Sequence, residues 1–523
     1  DLHLSIRRQR QMCIRDSGEF APTIHYQWIK SPPLRGFLKE VRLLRNMPEL
    51  VPVTIVSMHE FHLETLIHDP IHGYIPVGKR DDRVASDSQA VFEEDVIHHP
   101  WVQRMRHIHQ LQTAWWIYPT AEHSRFQHIL GVMHLASLWT QSLYPSLKQV
   151  CVDVPSLGYV ESLMRMAGLL HDVGHGPFGH FFDEHYLRAF GETHESLGAQ
   201  IIQSELADLL SQLRGNPNSR LEDDEQLDPE HVAWIIQRPQ SDEEERPQWL
   251  LFLRSLLSGI YTIDNMDFVL RDAYMTGYSQ RSYDLERLVR YSFFSQAGLT
   301  IHDRGIHALL RFMGARAELF RNVYFHRSVR GIDIALADVF TRSMPLLFPG
   351  NPCEHLSEYQ KLTEASLLVD VGRWENESGE KGELGAKWQE LLQCQVPWTM
   401  VCQRTMTFGE GDSEASSIFT DQEFVEKKLR SFLPESLQEL ELRIDIARHI
   451  FRPLVQGPAI GQNYLFDSAT GQIRPLTSHE LIDRQPVAQR ICRIYARDRK
   501  YQAALAAALQ QLAGHGEDDL TNM

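Results

Sequence analysis

The stretch from Glu161 to His171 constrains the fold more than any other part of this chain. It is predicted to be a helix that is nearly apolar through Leu163, Met166, Leu169 and Leu170, and a helix that is apolar on most sides is usually central in its domain. The stretch runs directly into the pair His171-Asp172. A carboxylate buried beside Leu169 and Leu170 costs free energy unless a positive group pairs with it. The sequence therefore predicts a helical core that meets a charged site at the end of this helix.

The residues after the helix favour a metal site. Imidazole nitrogens and carboxylate oxygens are common ligands of hydrolytic transition metals, and His171 and Asp172 are adjacent. A purely structural interpretation is a helix C-terminus that Gly174 closes as a left-handed cap. Three further histidines follow within fifteen residues, at positions 175, 180 and 185. This clustering favours the metal site over the cap.

Composition argues against a polyanionic partner. The 523 residues are 43% hydrophobic and 23% charged, which is ordinary for a globular protein and long enough for two or three domains. The formal net charge of −17 disfavours nonspecific binding to nucleic acid or to an anionic membrane. A local basic pocket stays compatible with this charge.

The cysteines and the hydropathy pattern predict a cytoplasmic protein without membrane association. Six cysteines are scattered without a C-x-x-C pair, which is typical of free thiols in a reducing compartment rather than of a disulfide framework or a zinc ribbon. We find no apolar run long enough to span a bilayer and no signal-peptide order. The cytoplasmic location follows by elimination.

Three regions are predicted along the chain. Residues 1–57 form an N-terminal extension, part of which resembles translated adapter sequence and is excluded from the fold. Residues 58–350 form the second region: a short β element at 58–80, then mostly helical periodicity, with long helical stretches at Arg254–Tyr278 and Ala308–Phe340. The motif Pro349-Gly350-Asn351-Pro352 marks its end.

The third region, 351–523, is predicted to combine helices with short strands. Gly379–Gly385 and Gly409–Ser417 are interpreted as loops, and 465–473 as two short strands around a turn. Ala503–Leu512 predicts a terminal helix, which a disordered acidic tail follows. The expected fold class is mainly α, with a small mixed α+β C-terminal region.

A metal site needs more than two protein ligands, and two distant residues are candidates. His128 lies on a predicted amphipathic helix that Ser124 caps, although a surface-facing histidine is an equal alternative there. Asp264 lies within the predicted helical stretch Arg254–Tyr278, on one face with Phe268, Arg271 and Asp272, and Asp267 and Arg271 form an i,i+4 pair there. We favour a metal ligand at Asp264 and a structural salt bridge between Asp267 and Arg271.

Four blocks in order carry a resemblance to a known family. They are His123-Ser124-Arg125-Phe126-Gln127-His128, His171-Asp172-Val173-Gly174-His175-Gly176-Pro177-Phe178-Gly179-His180, Thr193-His194-Glu195, and Ile263-Asp264 through Arg271-Asp272. Together they resemble the HD-domain phosphohydrolases, most closely the deoxynucleoside triphosphate (dNTP) triphosphohydrolases. The similarity covers roughly residues 58–500 in outline and implies a helical HD-domain core at 58–350.

The resemblance implies a metal centre with catalytic neighbours. The metal would be iron, manganese or zinc, with magnesium as an optional second ion, and its role would be to polarise a phosphoryl oxygen and activate water. The implied ligands are His128, His171, Asp172 and Asp264. The implied catalytic residues are His180 as the acid on the leaving 5′-oxygen, Asp183 as its orienting partner, and the pair His194-Glu195.

The resemblance also implies substrate and effector contacts. The implied substrate-binding residues are Gln110, Arg125, His175, Asp272, Arg316 and Tyr324. Of these, the arginines suit triphosphate oxygens, because a guanidinium fork matches their geometry, and the glutamine, aspartate and tyrosine would hold the deoxyribose. A regulatory nucleotide effector would contact Asp69, Gln103 and Arg106. Family members self-associate, so a homo-oligomer is expected.

Two departures from the family pattern keep the substrate open. Asn265 stands where the family has a lysine or arginine, and Phe268 where it has a tyrosine, so a charge-assisted contact worth about 1.5–3 kcal/mol is lost. The leading hypothesis is hydrolysis of a dNTP, with dGTP as a candidate, to the deoxynucleoside and triphosphate. The alternatives are the same chemistry on nucleoside monophosphates, cyclic nucleotides or oligonucleotide ends, and a nucleotide-sensing scaffold with little catalysis.

Overall fold

Helices dominate the part of the chain that the computed structural model describes, which is residues 64–78, 91–237, 246–259, 261–409, 417–451 and 463–512. The first half contains α1 (Glu93–His98), α2 (Pro100–Gln103), α3 (Arg125–Val150), α4 (Leu157–Leu170), α5 (His180–His185), α6 (His194–Glu205), α7 (Ala207–Ser211), α8 (Pro229–Ile236), α9 (Gln248–Arg254) and α10 (Ile263–Met275). The second half contains α11 (Leu285–Arg290), α12 (Ile306–Leu319), α13 (Arg327–Leu347), α14 (Leu356–Tyr359), α15 (Glu364–Arg373), α16 (Glu380–Leu392), α17 (Gln422–Ser431), α18 (Glu480–Asp483) and α19 (Gln502–Leu512). The predicted mainly α class is confirmed.

Three small sheets lie among the described residues. Strands β1 (Glu64–Asp69) and β2 (Gly73–Gly78) form an antiparallel hairpin in which Asp69 pairs with Gly73. A second sheet has the order β3 (Ser292–Ser295), β4 (Gly298–His302), β7 (Tyr464–Asp467) and β8 (Gln472–Pro475), with β4 and β7 parallel. The third is antiparallel, with β9 (Ala488–Ala496) between β5 (Thr399–Phe408) and β6 (Leu442–Ile450). The predicted β element at 58–80 and the strand pair within 465–473 are confirmed.

The predicted central helix is α4, which is buried from Gly158 to Leu170. It packs along α3, and α3 begins directly after the predicted cap residue Ser124, whose backbone nitrogen and hydroxyl both donate to Oε1 of Gln127. The charged side chains of α4 are paired inside the core; for example, Arg165 contacts Glu93 at 2.5 Å. The end of α4, where His171 and Asp172 follow, is therefore held rigidly in the interior.

A second, smaller hydrophobic cluster lies between the β5–β9–β6 sheet and helices α17 and α19, and includes Leu429, Ile494 and Leu505. The main cluster extends past residue 350, through Trp388, to Tyr495. The division of the chain into domains stays a prediction. None of the described helices is long and apolar enough to cross a bilayer.

Several predicted segment boundaries were wrong because tertiary packing overrides local patterns. The stretch Arg254–Tyr278 is not one helix, since α10 begins only after Thr262, whose side chain caps it. The stretch Ala308–Phe340 is interrupted by a π-helical turn at Phe320–Tyr324 before α13. Gly379–Gly385 is mostly helical, because α16 buries Leu384 and further apolar side chains. Residues 1–57, the tail and most of Gly409–Ser417 lie outside the described residues.

Candidate metal and active site

Four side chains from three parts of the fold converge on one point. His128 lies in the first turn of α3, His171 and Asp172 directly follow α4, and Asp264 lies in the first turn of α10. The Nε2 atom of His128 lies 3.1 Å from Oδ1 of Asp264, and Nε2 of His171 lies 3.7 Å from the same oxygen. Asp172 places Oδ1 3.3 Å from Nε2 of His171 and Oδ2 3.9 Å from Nε2 of His128. The four predicted metal ligands are thus neighbours, and we call them the ligand cluster.

The hydrogen bonds of both imidazoles suit metal binding. Nδ1 of His171 donates to the carbonyl of Gly168 at 2.9 Å, and its Nε2 is buried and has no hydrogen-bond partner in the described part of the chain. Nδ1 of His128 donates to the carboxylate of Asp267 at 2.8 Å. Carbonyl and carboxylate oxygens only accept, so each ring has its other nitrogen turned toward the carboxylates of the cluster. Such a set of nitrogen and oxygen ligands fits a divalent transition metal.

The pKa shifts of the ligand cluster reflect its negative charge. Burial by itself would lower the pKa of His128, but hydrogen bonds to Asp264 and Asp267 and the charge of Asp172 raise it to about 10. Burial also opposes the ionisation of Asp172, yet the charges of Arg125 and the nearby histidines hold its pKa well below the usual range. The site therefore stabilises positive charge.

The loop after α4 approaches α6 closely. Gly174 does not have the positive φ of a left-handed cap, so the cap interpretation was wrong. A Cβ at this position would lie 2.1 Å from the carbonyl oxygen of His194. Phe178 and Gly179, with φ of 64° and 57°, then turn the chain so that His180 is the first residue of α5. The glycine thus permits the contact that brings α6 beside the ligand cluster.

A second cluster is built around Asp183 of α5. Its Oδ2 accepts from Nδ1 of His194 at 2.5 Å and lies 3.4 Å from Nδ1 of His180. Burial favours the neutral acid, but these hydrogen bonds hold the pKa of Asp183 far below its usual range. Oε2 of Glu195 lies 3.6 Å from Nδ1 of His194. The sequence pattern paired His194 with Glu195, whereas the closer carboxylate is Asp183.

His175 lies between the two clusters. Its ring is completely buried and stacks on His194, with ring centroids 3.7 Å apart. Its Nε2 lies 3.3 Å from Oδ1 of Asp172. Together with His180, Asp183 and His194 it forms a group whose ligand atoms are close enough to hold a cation. Its substrate contact stays a prediction.

A cavity of about 380 Å³ opens over both clusters. Its lining combines the ligand cluster with polar and aromatic side chains. The predicted site residues on its wall are Gln110, Arg125, His128, His171, Asp172, His180, His194, Glu195, Asp264, Asp272 and Tyr324.

The predicted deoxyribose contacts are among these lining residues. Oδ2 of Asp272 accepts from the hydroxyl of Tyr324 at 2.6 Å, and Oδ1 accepts from Nε2 of His123 at 2.9 Å. Oε1 of Gln110 is buried and has no hydrogen-bond partner among the described residues. A buried acceptor without a donor costs about 1–3 kcal/mol. This part of the cavity therefore favours a ligand that carries a hydroxyl group.

Both arginines that are predicted to contact phosphate already form hydrogen bonds with other groups of the protein. Arg125 donates to Oδ2 of Asp172 at 2.6 Å. Arg316 donates from Nε to Oδ1 of Asn265 at 2.9 Å and from a terminal nitrogen to the carbonyl of Ile450 at 3.0 Å, and burial lowers its pKa to about 10. Asn265 thus fixes an arginine, and of these two arginines Arg125 is the one that lines the cavity.

The predicted effector residues fall into two separate hydrogen-bond networks. Asp69 is buried, and its carboxylate accepts from Arg271 at 2.8 Å. Oε1 of Gln103 accepts from Nε of Arg106 at 2.7 Å, and the Arg106 guanidinium lies over the ring of Phe126. Effector binding at these residues stays a prediction.

Sequence reasoning missed two histidines that support the site. His123 holds the carboxylate of Asp272, and His72 contacts the carboxylate behind His128. Their positions in the sequence carry no local signal, since the partners are 149 and 195 positions away. Asp267 was interpreted as structural because its pairing with Arg271 is visible as an i,i+4 spacing.

Comparison with known proteins tests the predicted resemblance. The family model for the HD domain matches residues 125–248, a segment that contains His128, His171 and Asp172. The predicted resemblance to the HD-domain phosphohydrolases is confirmed. A hypothetical protein from Aquifex aeolicus shares the fold, with a TM-score of 0.61 and 22% identity over 86% of this chain and 100% of that one.

Sequence relatives include deoxynucleoside triphosphate triphosphohydrolases. The chain is 26% identical over 370 residues to the SAMHD1 homolog of Dictyostelium discoideum, covering 67% of this chain and 65% of that protein. It is 26% identical over 312 residues to human SAMHD1, covering 55% and 46%. It is also 28% identical over 337 residues to the uncharacterized protein YwfO of Bacillus subtilis, covering 60% and 67%. The chain thus spans about two thirds or less of the length of these relatives.

Proposed function

We propose that this protein is a metal-dependent phosphohydrolase that converts a dNTP, with dGTP as a candidate, into the deoxynucleoside and inorganic triphosphate. The convergence of two imidazole nitrogens and two carboxylates in one cavity carries this proposal. The polar groups of Gln110, Asp272 and Tyr324 in the same cavity support a nucleotide substrate. The similarity to deoxynucleoside triphosphate triphosphohydrolases supports a substrate that carries three phosphates.

In this proposal the ligand cluster holds iron, manganese or zinc, and magnesium is an optional second ion. When bound, the ion supplies Lewis-acid polarisation of a phosphoryl oxygen and activates water for attack on the α-phosphorus. The buried Nε2 of His171, for which the described ranges supply no hydrogen-bond partner, supports this assignment. The raised pKa of His128 supports it as well, since a site that retains a proton so strongly favours positive charge.

Proton transfer is assigned to the second cluster, the side chains around Asp183. His180, whose side chain is 68% exposed, is assigned to protonate the leaving 5′-oxygen. Asp183 orients it through Nδ1. The same carboxylate keeps the proton of His194 on Nδ1, which leaves its Nε2 as a base. Glu195 adds a second negative charge beside His194.

Substrate binding is assigned to the remaining polar residues of the cavity. Oε1 of Gln110, which has no partner among the described residues, suits the 3′-hydroxyl as a donor. Tyr324 occupies one oxygen of Asp272 and packs near Phe268, which supports exclusion of a 2′-hydroxyl. Nε of Arg125 is buried and no described residue forms a hydrogen bond with it, which supports a further contact to a phosphate oxygen.

One observation favours an alternative substrate. Arg316 is tied to Asn265 and Ile450, so fewer cations are free for phosphate oxygens than in the family pattern. This favours the same chemistry on a nucleoside monophosphate, a cyclic nucleotide or an oligonucleotide end. Effector binding at Asp69, Gln103 and Arg106, and self-association of the chain, complete the proposal.

A substrate panel tests the proposal. Purified protein is incubated with each dNTP, with monophosphates and with Mn²⁺, and the products are separated by chromatography while elemental analysis gives the metal content. We expect a deoxynucleoside and triphosphate from at least one dNTP, and none from the Asp172→Ala variant. No deoxynucleoside from any dNTP at full metal occupancy would contradict the proposal. Faster turnover of monophosphates would favour the alternative.

A further inference from the structure

The metal-ligand candidate His128 is held from behind by a buried carboxylate. Oδ2 of Asp267 accepts from Nδ1 of His128 at 2.8 Å, and Asp267 is completely buried. Arg271 donates to both oxygens, at 2.8 Å to Oδ2 and 2.9 Å to Oδ1. A carboxylate that a guanidinium contacts through both oxygens only accepts, so Nδ1 of His128 carries the proton and Nε2 is directed at the ligand cluster.

A further donor to this carboxylate comes from the β1–β2 hairpin. Nε2 of His72, in the hairpin turn, lies 2.7 Å from Oδ1 of Asp267, and the His72 side chain is 4% exposed. In the same turn, Oδ2 of Asp69 accepts from Arg271 at 2.8 Å. Oδ1 of Asp69 accepts from the backbone nitrogens of Ile71 and His72 at 2.9 Å, which fixes the turn. The hairpin therefore contacts both members of the Asp267–Arg271 pair.

Helix α3 is shaped to admit this pair. Gly131 lies three residues after His128 on the same helix. A Cβ at Gly131 would lie 1.9 Å from Oδ1 of Asp267 and 2.4 Å from a terminal nitrogen of Arg271. No side chain fits there unless the pair moves. The same helix thus supplies the histidine and the space for the carboxylate that orients it.

We propose that His72 and Asp267 are positioning residues for His128, and that the β1–β2 hairpin thereby sets the affinity of the site for its metal. This inference rests on the proposed function, because it takes His128 as a metal ligand. A carboxylate on the second nitrogen of a ligating imidazole fixes its tautomer and orientation, and its loss typically costs about 10–100-fold in metal affinity. Without His72, Oδ1 of Asp267 is left to Arg271 alone, and the carboxylate is free to turn away from His128.

Three variants disturb this arrangement without touching the ligand cluster. His72→Ala removes the donor, His72→Gln retains one, and Gly131→Ala displaces Asp267 sterically. Two matched controls make the same kinds of change elsewhere. His68→Ala alters an exposed histidine of the same hairpin, and Gly314→Ala adds a Cβ on α12 where no atom of the described residues lies within 4 Å.

The test measures Mn²⁺ and Co²⁺ affinity by competition with a chelating dye, in the full chain and without nucleotide. We expect His72→Ala and Gly131→Ala to weaken binding by about 10–100-fold, His72→Gln to recover part of the loss, and both controls to bind as the wild type does. The visible spectrum of bound Co²⁺ should change in His72→Ala and return toward that of the wild type in His72→Gln.

The outcomes separate this inference from the proposed function. Wild-type affinity in both His72→Ala and Gly131→Ala overturns the positioning role while leaving the metal site intact. A wild-type protein that takes up no metal contradicts the proposed function, and the positioning role with it. Thermal unfolding shows which variants are folded. If Gly131→Ala is not folded, the metal affinities of His72→Ala and His72→Gln are compared instead. Unaltered metal affinity in His72→Ala overturns the inference.

Discussion

Replacement of Asp183 by asparagine disturbs the second cluster at its centre. One oxygen of Asp183 accepts from His194 at 2.5 Å and lies 3.4 Å from Nδ1 of His180. The side chain of Asp183→Asn has one acceptor oxygen and a nitrogen that only donates. With its oxygen in the place of Oδ2, the amide can still accept from both histidines, but it carries no negative charge to stabilise a protonated ring, and its N–H group replaces Oδ1, which lies 4.0 Å from Nδ1 of His175.

The loss expected from this change is large and confined to catalysis. Positioned proton transfer contributes about 10²–10⁴-fold to a rate, and an aspartate-to-asparagine change behind a catalytic histidine costs about as much. We therefore expect kcat to fall about 10²–10⁴-fold, or about 3–5 kcal/mol of barrier. The metal bound by the ligand cluster should be retained, because Asp183 is not part of that cluster.

The assay is steady-state hydrolysis of the best dNTP, with metal content measured on the same samples. Glu184→Gln is the matched control, because Glu184 is the next residue on α5 and is exposed, and it should keep the wild-type kcat. If Asp183→Asn is as active as the wild type at equal metal content, the assignment of the second cluster is refuted.

Two further predictions concern stability. Gly174→Ala places a Cβ 2.1 Å from the carbonyl oxygen of His194, and we expect this overpacking to lower the free energy of unfolding by about 1–3 kcal/mol and so to lower the melting temperature. The control Gly314→Ala should melt no lower than the wild type. Equal melting temperatures of the wild type and both variants would contradict the close approach of α6 to Gly174. Burial and the nearby positive groups of His72 and Arg165 lower the pKa of His134 from 6.5 to about 4, so the unfolded state binds the proton first as the pH falls, and stability present above about pH 6.5 is lost toward pH 4. At about pH 4.5 the free energy of unfolding should be lower by roughly 2.5 kcal/mol for this reason. The free energy of unfolding of His134→Gln, measured by urea unfolding, should therefore depend less on pH than that of the wild type. Parallel pH profiles would show that the pKa of His134 is not lowered.

The residues of the ligand cluster were predictable because each has a local signal. His171-Asp172 ends a nearly apolar helix, His128 follows the recognisable cap Ser124, and Asp264 lies in a stretch with helical spacing. The resemblance to HD-domain proteins then connected positions that spacing alone leaves apart. The mainly α class follows from the same periodicity.

The groups around the cluster were not predictable, because they depend on contacts between distant segments. His72 reaches Asp267 across 195 positions, and no periodicity encodes such a contact. Asp183 is closer to His194 than Glu195 is, because the loop after α4 brings α5 against α6. The position of Gly174 directly after a helix is typical of a helix cap, but in the structure this glycine permits close backbone packing against α6.

The most direct test of the central claim is the position of solvent oxygen in the products. Metal-loaded protein is given a dNTP in water enriched in heavy oxygen, and both products are analysed by mass spectrometry. Attack of water on the α-phosphorus predicts labelled triphosphate and an unlabelled deoxynucleoside. Label in the deoxynucleoside, or a nucleoside monophosphate or diphosphate as the product, would contradict the proposed reaction.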